Sequence, residues 1–215
     1  TPSTVVTSDA GTGIGYTGIR IRGVDPTRTN VTINGVPLND AESHGVYWVN
    51  MPDFASSTDN IQIQRGVGSS TNGAASFGAC LNIKTQDISE KAFGSVDQSI
   101  GSFGTHKTTV KAGTGILNNH FSLETRMSSI QSNGYLDRAS SDLKSYFISG
   151  AYIGKKSILK AIVFSGKEIT YVELLPLDGI VQTPQKSEQT NTKTGVKFIH
   201  YKTNNPNLFW TAPGN

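Results

Sequence analysis

The chain has 215 residues, a formal net charge of +3 and 16% charged residues, against roughly 25% in ordinary soluble domains. Its lysines and arginines are scattered, with no basic run longer than Lys155-Lys156, so the clustered footprint of a nucleic-acid binder is missing. The one cysteine, Cys80, excludes an internal disulfide and a cysteine-built metal cluster, and no apolar run approaches the roughly 18 residues of a transmembrane helix.

In chain order, the segment up to about Asp87 is rich in glycine and turn residues. Asp9 to Gly15 reads as a flexible lead-in. Gly18 to Gly23 reads GIRIRG, and Val31 to Leu38 reads VTINGVPL. Asn34-Gly35 is a strong hairpin signal, because both central residues tolerate positive φ. Asn39 to Asn50 has no clean period, contains Tyr47 and Trp48, and reads as a structured loop. Asp53 to Asp59 is expected to make a short helical turn. Ile61 to Thr85, IQIQRGVGSSTNGAASFGACLNIKT, reads strand, Arg-Gly, Gly- and Ser-rich bend, strand. Cys80 in that last strand reads as a small buried hydrophobe.

From about Lys91 the texture becomes segments of about ten residues that alternate apolar and polar. The expected strands are 92–102, 105–115, 119–130, 145–154, 157–167 and 192–202. In His120 to Ser129, Phe121, Leu123, Thr125 and Met127 fall on one face and Ser122, Glu124, Arg126 and Ser128 on the other, because successive strand side chains point to opposite faces. A membrane barrel strand, of about 9–11 residues, alternates in this way, and so does a soluble sandwich. The connections favour the barrel. The gaps at 116–118 and 155–156 are tight, whereas those at 131–144 and 168–191 are long and polar, the asymmetry of outer-membrane barrels. The gap at Phe103-Gly104 is short and departs from it. Phe103, Tyr135, Tyr146 and Tyr171 are expected at the outer-loop ends, as an aromatic girdle. The tail after Asn204 fits no element.

Catalytic and metal signatures are weak. Gly66 to Gly73 lacks the Gly-Lys-Ser/Thr ending of a phosphate loop, and a strand follows it. Asn30-Val31-Thr32 matches a glycosylation sequon of the kind common by chance. His44, His106, His120 and His200 are too dispersed for a zinc site, and no Gly-x-Ser-x-Gly elbow accompanies the serines. The reading is of a protein that is not an enzyme and needs no cofactor.

The order of Ile21-Arg22-Gly23, the hairpin Asn34-Gly35-Val36-Pro37, Ile63-Gln64-Arg65-Gly66 and Leu81-Asn82-Ile83 resembles the plug domain of TonB-dependent outer-membrane receptors over roughly Gly11 to Thr85. Gln64 stands where many plugs have Glu, and Cys80 where a small residue is usual. The stretch from Leu38 to Asp53 looks like the Bacteroidetes branch of that family. The resemblance implies a mainly β chain with a small α/β plug at 1–87 and, at 88–215, the first five or six strands of a transmembrane β-barrel, here a partial chain. In this family 22 strands close the barrel around the plug.

Function follows from the same resemblance: capture of a scarce solute outside the cell (siderophore-bound iron, haem, cobalamin or a glycan) and uptake energised by TonB with ExbB and ExbD. Expected surroundings are outer-membrane lipid and, for a glycan, a surface lipoprotein. The TonB-contacting segment of these receptors is expected outside this chain. A secreted or surface β-rich binding or adhesion protein is the alternative. The resemblance sets Glu42, His44, Tyr47 and Trp48 at the plug apex as substrate-binding residues; packing of Tyr47 and Trp48 inside the plug is the competing reading. It also implies ion pairs between the plug arginines Arg20, Arg22 and Arg65 and a carboxylate of the barrel wall, for which Glu124 is the candidate.

Overall fold

A computed structural model describes residues 3–8, 11–15, 17–66, 78–136, 139–155 and 157–171, and the backbone of 191–202. Two groups of strands form, and they do not mix. The first half contains strands β1 (Thr4–Ser8), β2 (Thr17–Ile21), β3 (Thr29–Ile33), β4 (Val36–Pro37), β5 (Thr58–Arg65) and β6 (Ala79–Thr85). β1 and β2 pair only with each other. The other four form a sheet in the order β4-β3-β6-β5, in which β3 and β6 run parallel. The hairpin between β3 and β4 turns at Asn34 (φ +50°) and Gly35 (φ +80°), the double positive φ that this dipeptide supplies. Phe54–Ser57 forms a single 3₁₀ turn.

The second half is one antiparallel meander of β7 (Phe93–Gly101), β8 (Thr105–Leu117), β9 (Phe121–Ser132), β10 (Ser140–Ile153), β11 (Ser157–Tyr171) and β12 (Asn191–Lys202), in chain order across the sheet. Residues 86–92 join the two halves. Among the described residues no helix is long and apolar enough to cross a membrane, which says nothing of strands.

The alternation in β9 has the expected sense. Phe121, Leu123 and Met127 stand on the outer surface, Met127 with 65% of its surface exposed, while Ser122, Arg126 and Ser128 are buried beneath the sheet. Neighbouring strands continue the outer face. Val110 and Tyr146 flank Met127 in register, and Val96, Ile100, Ile148, Tyr152 and Leu159 are exposed as well. A soluble sandwich would bury this apolar face. Here it points outward, as in a barrel that shows apolar residues to lipid.

Two expectations about the wall change. The long loop expected at 131–144 shrinks to residues 133–139, because β9 runs on to Ser132 and β10 starts at Ser140, with Ser141 opposite Ser132. Those serines look like loop residues, but Ser132 and Ser141 are buried on the inward, polar face, where serine suits a strand. Gly134 (φ +78°) makes the tight return, since a Cβ there would collide with the Ala139 carbonyl. For the same reason Tyr146 lies mid-strand opposite Met127 rather than at an outer end. Phe103 and Tyr135 do meet at that end, edge to face at 5.4 Å. Residues 172–190 and 203–215, and with them most of the last expected loop and the tail, lie outside the described residues, as does the Tyr171 side chain.

The core lies at the seam between the halves. Val31, Ile33, Leu81 and Ile83 of the plug sheet join Met51 and Phe54, and this cluster continues into Phe147, Ile162 and Phe164 of the wall. Phe54 sets its ring edge-on to Phe147 (5.9 Å) and Phe164 (5.3 Å). Beside it Pro52 lies against the backbone of Gly166, where any side chain would clash.

Candidate functional site: the plug–wall seam and the plug loop

The ends of the seam can be told apart. Thr85 and Gln86 of the plug meet Lys160, near the start of β11, on the side of the short turns at 118–120 and 154–156. Lys160 Nζ donates to Gln86 O at 2.7 Å and to Thr85 Oγ1 at 3.2 Å. The hairpin residue Asn34 brackets Thr85 at this same end. The opposite end of β3 therefore points to the other side of the wall, which carries residues 102–104 and 133–136. That side is the one that the loop lengths in the sequence lead one to expect outside the cell.

Asp53 holds the seam towards that side. Its backbone is left-handed (φ +53°), and its side chain reaches the wall while keeping one contact within its own turn. Lys107 Nζ donates to Oδ1 at 2.6 Å, Arg126 Nη1 lies 3.4 Å from Oδ2, and Ser128 Oγ also donates to Oδ2. Ser56 Oγ donates to Oδ1 at 2.8 Å. Burial alone would raise the Asp53 pKa, but the hydrogen bonds from Lys107, Ser128 and Ser56 outweigh it and hold the carboxyl below its ordinary value. Arg126 is only 3% exposed and also donates to Ser145 Oγ at 2.9 Å. A buried charge of this kind needs its partner.

Arg20, Arg22 and Arg65, for which the resemblance implies partners on the barrel wall, lie in or beside β2 and β5 of the plug. All three arginines have exposed side chains. Glu124 Oε1 instead accepts from the Ser89 backbone N–H at 2.9 Å, in the segment joining plug to wall. Among the described residues an ionic contact of the opposite polarity crosses the seam: a plug carboxylate between wall cations. Sequence reasoning missed Asp53. The available signal was Arg126, a cation on the inward face of a strand, which calls for a carboxylate from the plug.

The loop from Asn39 to Asn50 lies on the long-loop side, and side-chain amide and carboxylate groups tie it down. Asn39 Oδ1 accepts from Val31 N–H at 2.8 Å, and Nδ2 donates to the carbonyls of Thr29 (2.9 Å) and His44 (2.8 Å). Asp40 Oδ1 accepts from the N–H groups of Glu42 (3.0 Å) and Ser43 (2.8 Å), an Asx turn. His44 takes φ +55°. This scaffold leaves Glu42 and His44 exposed and Tyr47 48% exposed. Trp48 differs: it is partly buried and packs against the seam core. The four residues thus share one loop, with three facing out and one facing in. No group of three or more His, Cys, Asp or Glu side chains suited to a metal exists among the described residues.

Comparison with known proteins agrees with this architecture. Residues 1–80 match the family described as TonB-dependent Receptor Plug Domain. A search of curated proteins finds no match. Among solved structures, the fold is similar to the siderophore receptor PirA from Acinetobacter baumannii (TM-score 0.69, 18% identity, 94% of this chain and 34% of that one). It is also similar to the copper transporter OprC (TM-score 0.68, 15% identity, 93% and 30%). The ferric yersiniabactin uptake receptor FyuA from Yersinia pestis matches too (TM-score 0.62, 12% identity, 93% and 33%). The chain therefore spans about a third of the length of the structures it matches. These proteins are receptors and transporters rather than enzymes. Residues 1–80 thus match the plug domain of TonB-dependent receptors, and the chain as a whole shares the plug-and-barrel fold of solved outer-membrane receptors.

Proposed function

We propose that the receptor containing this chain takes up a scarce extracellular solute in a TonB-energised cycle, with TonB, ExbB and ExbD supplying the energy. The observation that carries this reading is the plug sheet seated on the inward face of an outward-apolar wall through Asp53 and Phe54. A plug held by a few polar contacts and one apolar seam blocks the lumen yet can be displaced. The solute classes are ferric siderophores, haem, cobalamin and glycans, a glycan with a surface lipoprotein.

Glu42, His44 and Tyr47 make the first contact with the solute in this proposal, and Trp48 braces their loop from beneath. Three features support it: the loop lies at the end of the plug opposite the Asn34–Gly35 hairpin, it is pre-organised by Asn39 and Asp40, and it offers an aromatic face next to hydrogen-bonding groups. The test is uptake of labelled solutes from these four classes by cells that depend on the intact receptor, with and without TonB. One class should accumulate only when TonB is present. Accumulation that is unchanged without TonB overturns the reading.

A further inference from the structure

The outer face of the wall carries a feature that solute uptake does not use. Lys144 on β10 and Lys167 on β11 are directly opposite each other in the register, and both are exposed. Like charges placed across a strand pair repel. The facing carboxylate among the described residues is Asp142, whose Oδ2 lies 4.0 Å from Lys144 Nζ. One carboxylate against two ammonium groups leaves the patch positive.

Below the lysines the surface is a groove of about 530 Å³, with Val110, Met127 and Tyr146 as its apolar part and Ser129 at its polar end. The groove therefore has a direction, cationic at the top and apolar beneath. Its height on the wall fits. Tyr152 and Leu159, paired near the lower end of the same strands, stand eight positions from Lys144 and Lys167. That is about 26 Å along the strand, or about 19 Å of depth at a tilt near 45°. The lysines thus stand towards the extracellular edge of an apolar band about 25 Å tall, where long side chains reach the headgroups.

We propose that this groove binds a phosphate-bearing lipid of the outer leaflet, its phosphate between Lys144 and Lys167 and an acyl chain along Val110, Met127 and Tyr146. An ammonium pair matches a phosphate as point charges. The lipid phosphate also relieves a repulsion that the protein leaves in place.

The test uses the intact receptor in uncharged detergent, titrated with lipid A bearing its phosphates and with phosphate-free lipid A, followed by thermal unfolding. The phosphorylated lipid should raise the melting temperature of the wild type in a concentration-dependent way. Lys144→Gln with Lys167→Gln should weaken that binding roughly thirtyfold, while Lys155→Gln, at the opposite end of the wall, should leave it unchanged. The double variant should fold, since it removes a repulsion; heat-dependent gel migration checks this, and Lys144→Gln alone should show an intermediate loss. Four outcomes would each overturn the proposal: equal stabilisation of the double variant, equal stabilisation by phosphate-free lipid A, the full shift from inorganic phosphate alone, or the same loss in Lys155→Gln.

Discussion

The two sheets of this molecule obey opposite burial rules. In the plug, every residue of β3 is buried and its apolar residues face the core. In the wall, Phe121, Leu123 and Met127 face outward while Ser122, Arg126, Ser128 and Lys160 are buried. The plug is ordered by the hydrophobic effect in water. The wall has lipid as its outer solvent, so its apolar side chains need no protein partner and its polar ones are free to meet the plug. The seam is where the rules meet, and it uses both kinds of contact: Phe54 between two phenylalanines, and Asp53 between two cations.

Breaking the seam should have the largest effect. Asp53→Ala leaves Arg126 buried without its carboxylate, and loss of one partner of a buried pair costs about 3–5 kcal/mol. The expected readout is earlier release or proteolysis of the plug with the barrel still folded. Loss of both together would mean that the seam is not the weak point.

Next comes the same chemical change on the two sheets. Met127→Lys on the outer face should cost about 2–4 kcal/mol in lipid, whereas Ile61→Lys, on the exposed surface of β5, should stay within about 0.5 kcal/mol. Equilibrium unfolding in vesicles measures both, and equal costs would remove the distinction between the faces.

A smaller contrast lies within the plug loop. Trp48→Ala should destabilise the plug by about 1–3 kcal/mol, while Tyr47→Ala should leave stability alone and weaken solute binding. The reverse pattern would make Tyr47 the brace and Trp48 the contact.

The smallest effect is that of pH. Because the folded Asp53 carboxyl titrates below its ordinary value, the unfolded chain takes up that proton more readily. Its contribution is complete above a pH of about 4 and fades as the pH falls through and below that value. Stability measured against pH should therefore drop more steeply in the wild type than in Asp53→Asn, and parallel curves would show that Asp53 carries no charge-linked stability.

Much of this was legible in the sequence because wall and plug are written in different periods. Two-residue alternation in Phe121–Met127 specified the outward face, and Asn34-Gly35 specified the hairpin. The end of β9 and the start of β10 were not legible, since Ser132, Ser140 and Ser141 read as loop wherever the interior is assumed apolar. The site was legible only in part. Tyr47 and Trp48 are adjacent and chemically alike, and their opposite orientations come from a 3₁₀ turn at Trp48–Asn50 that no period announces. Asp53 was hidden because its partners lie 54 and 73 residues away, a separation that local pattern cannot bridge.

The pairing of the strands also implies an order of assembly. The ladders that join β7 through β11 link neighbours in sequence across short connections. The plug depends instead on the parallel match of Thr29–Ile33 with Ala79–Ile83, and loops of that length close at a higher entropic cost. A nascent chain can therefore zip wall hairpins from purely local contacts while β3 waits for β6. The plug is expected to reach its final form late, against a wall that is already taking shape.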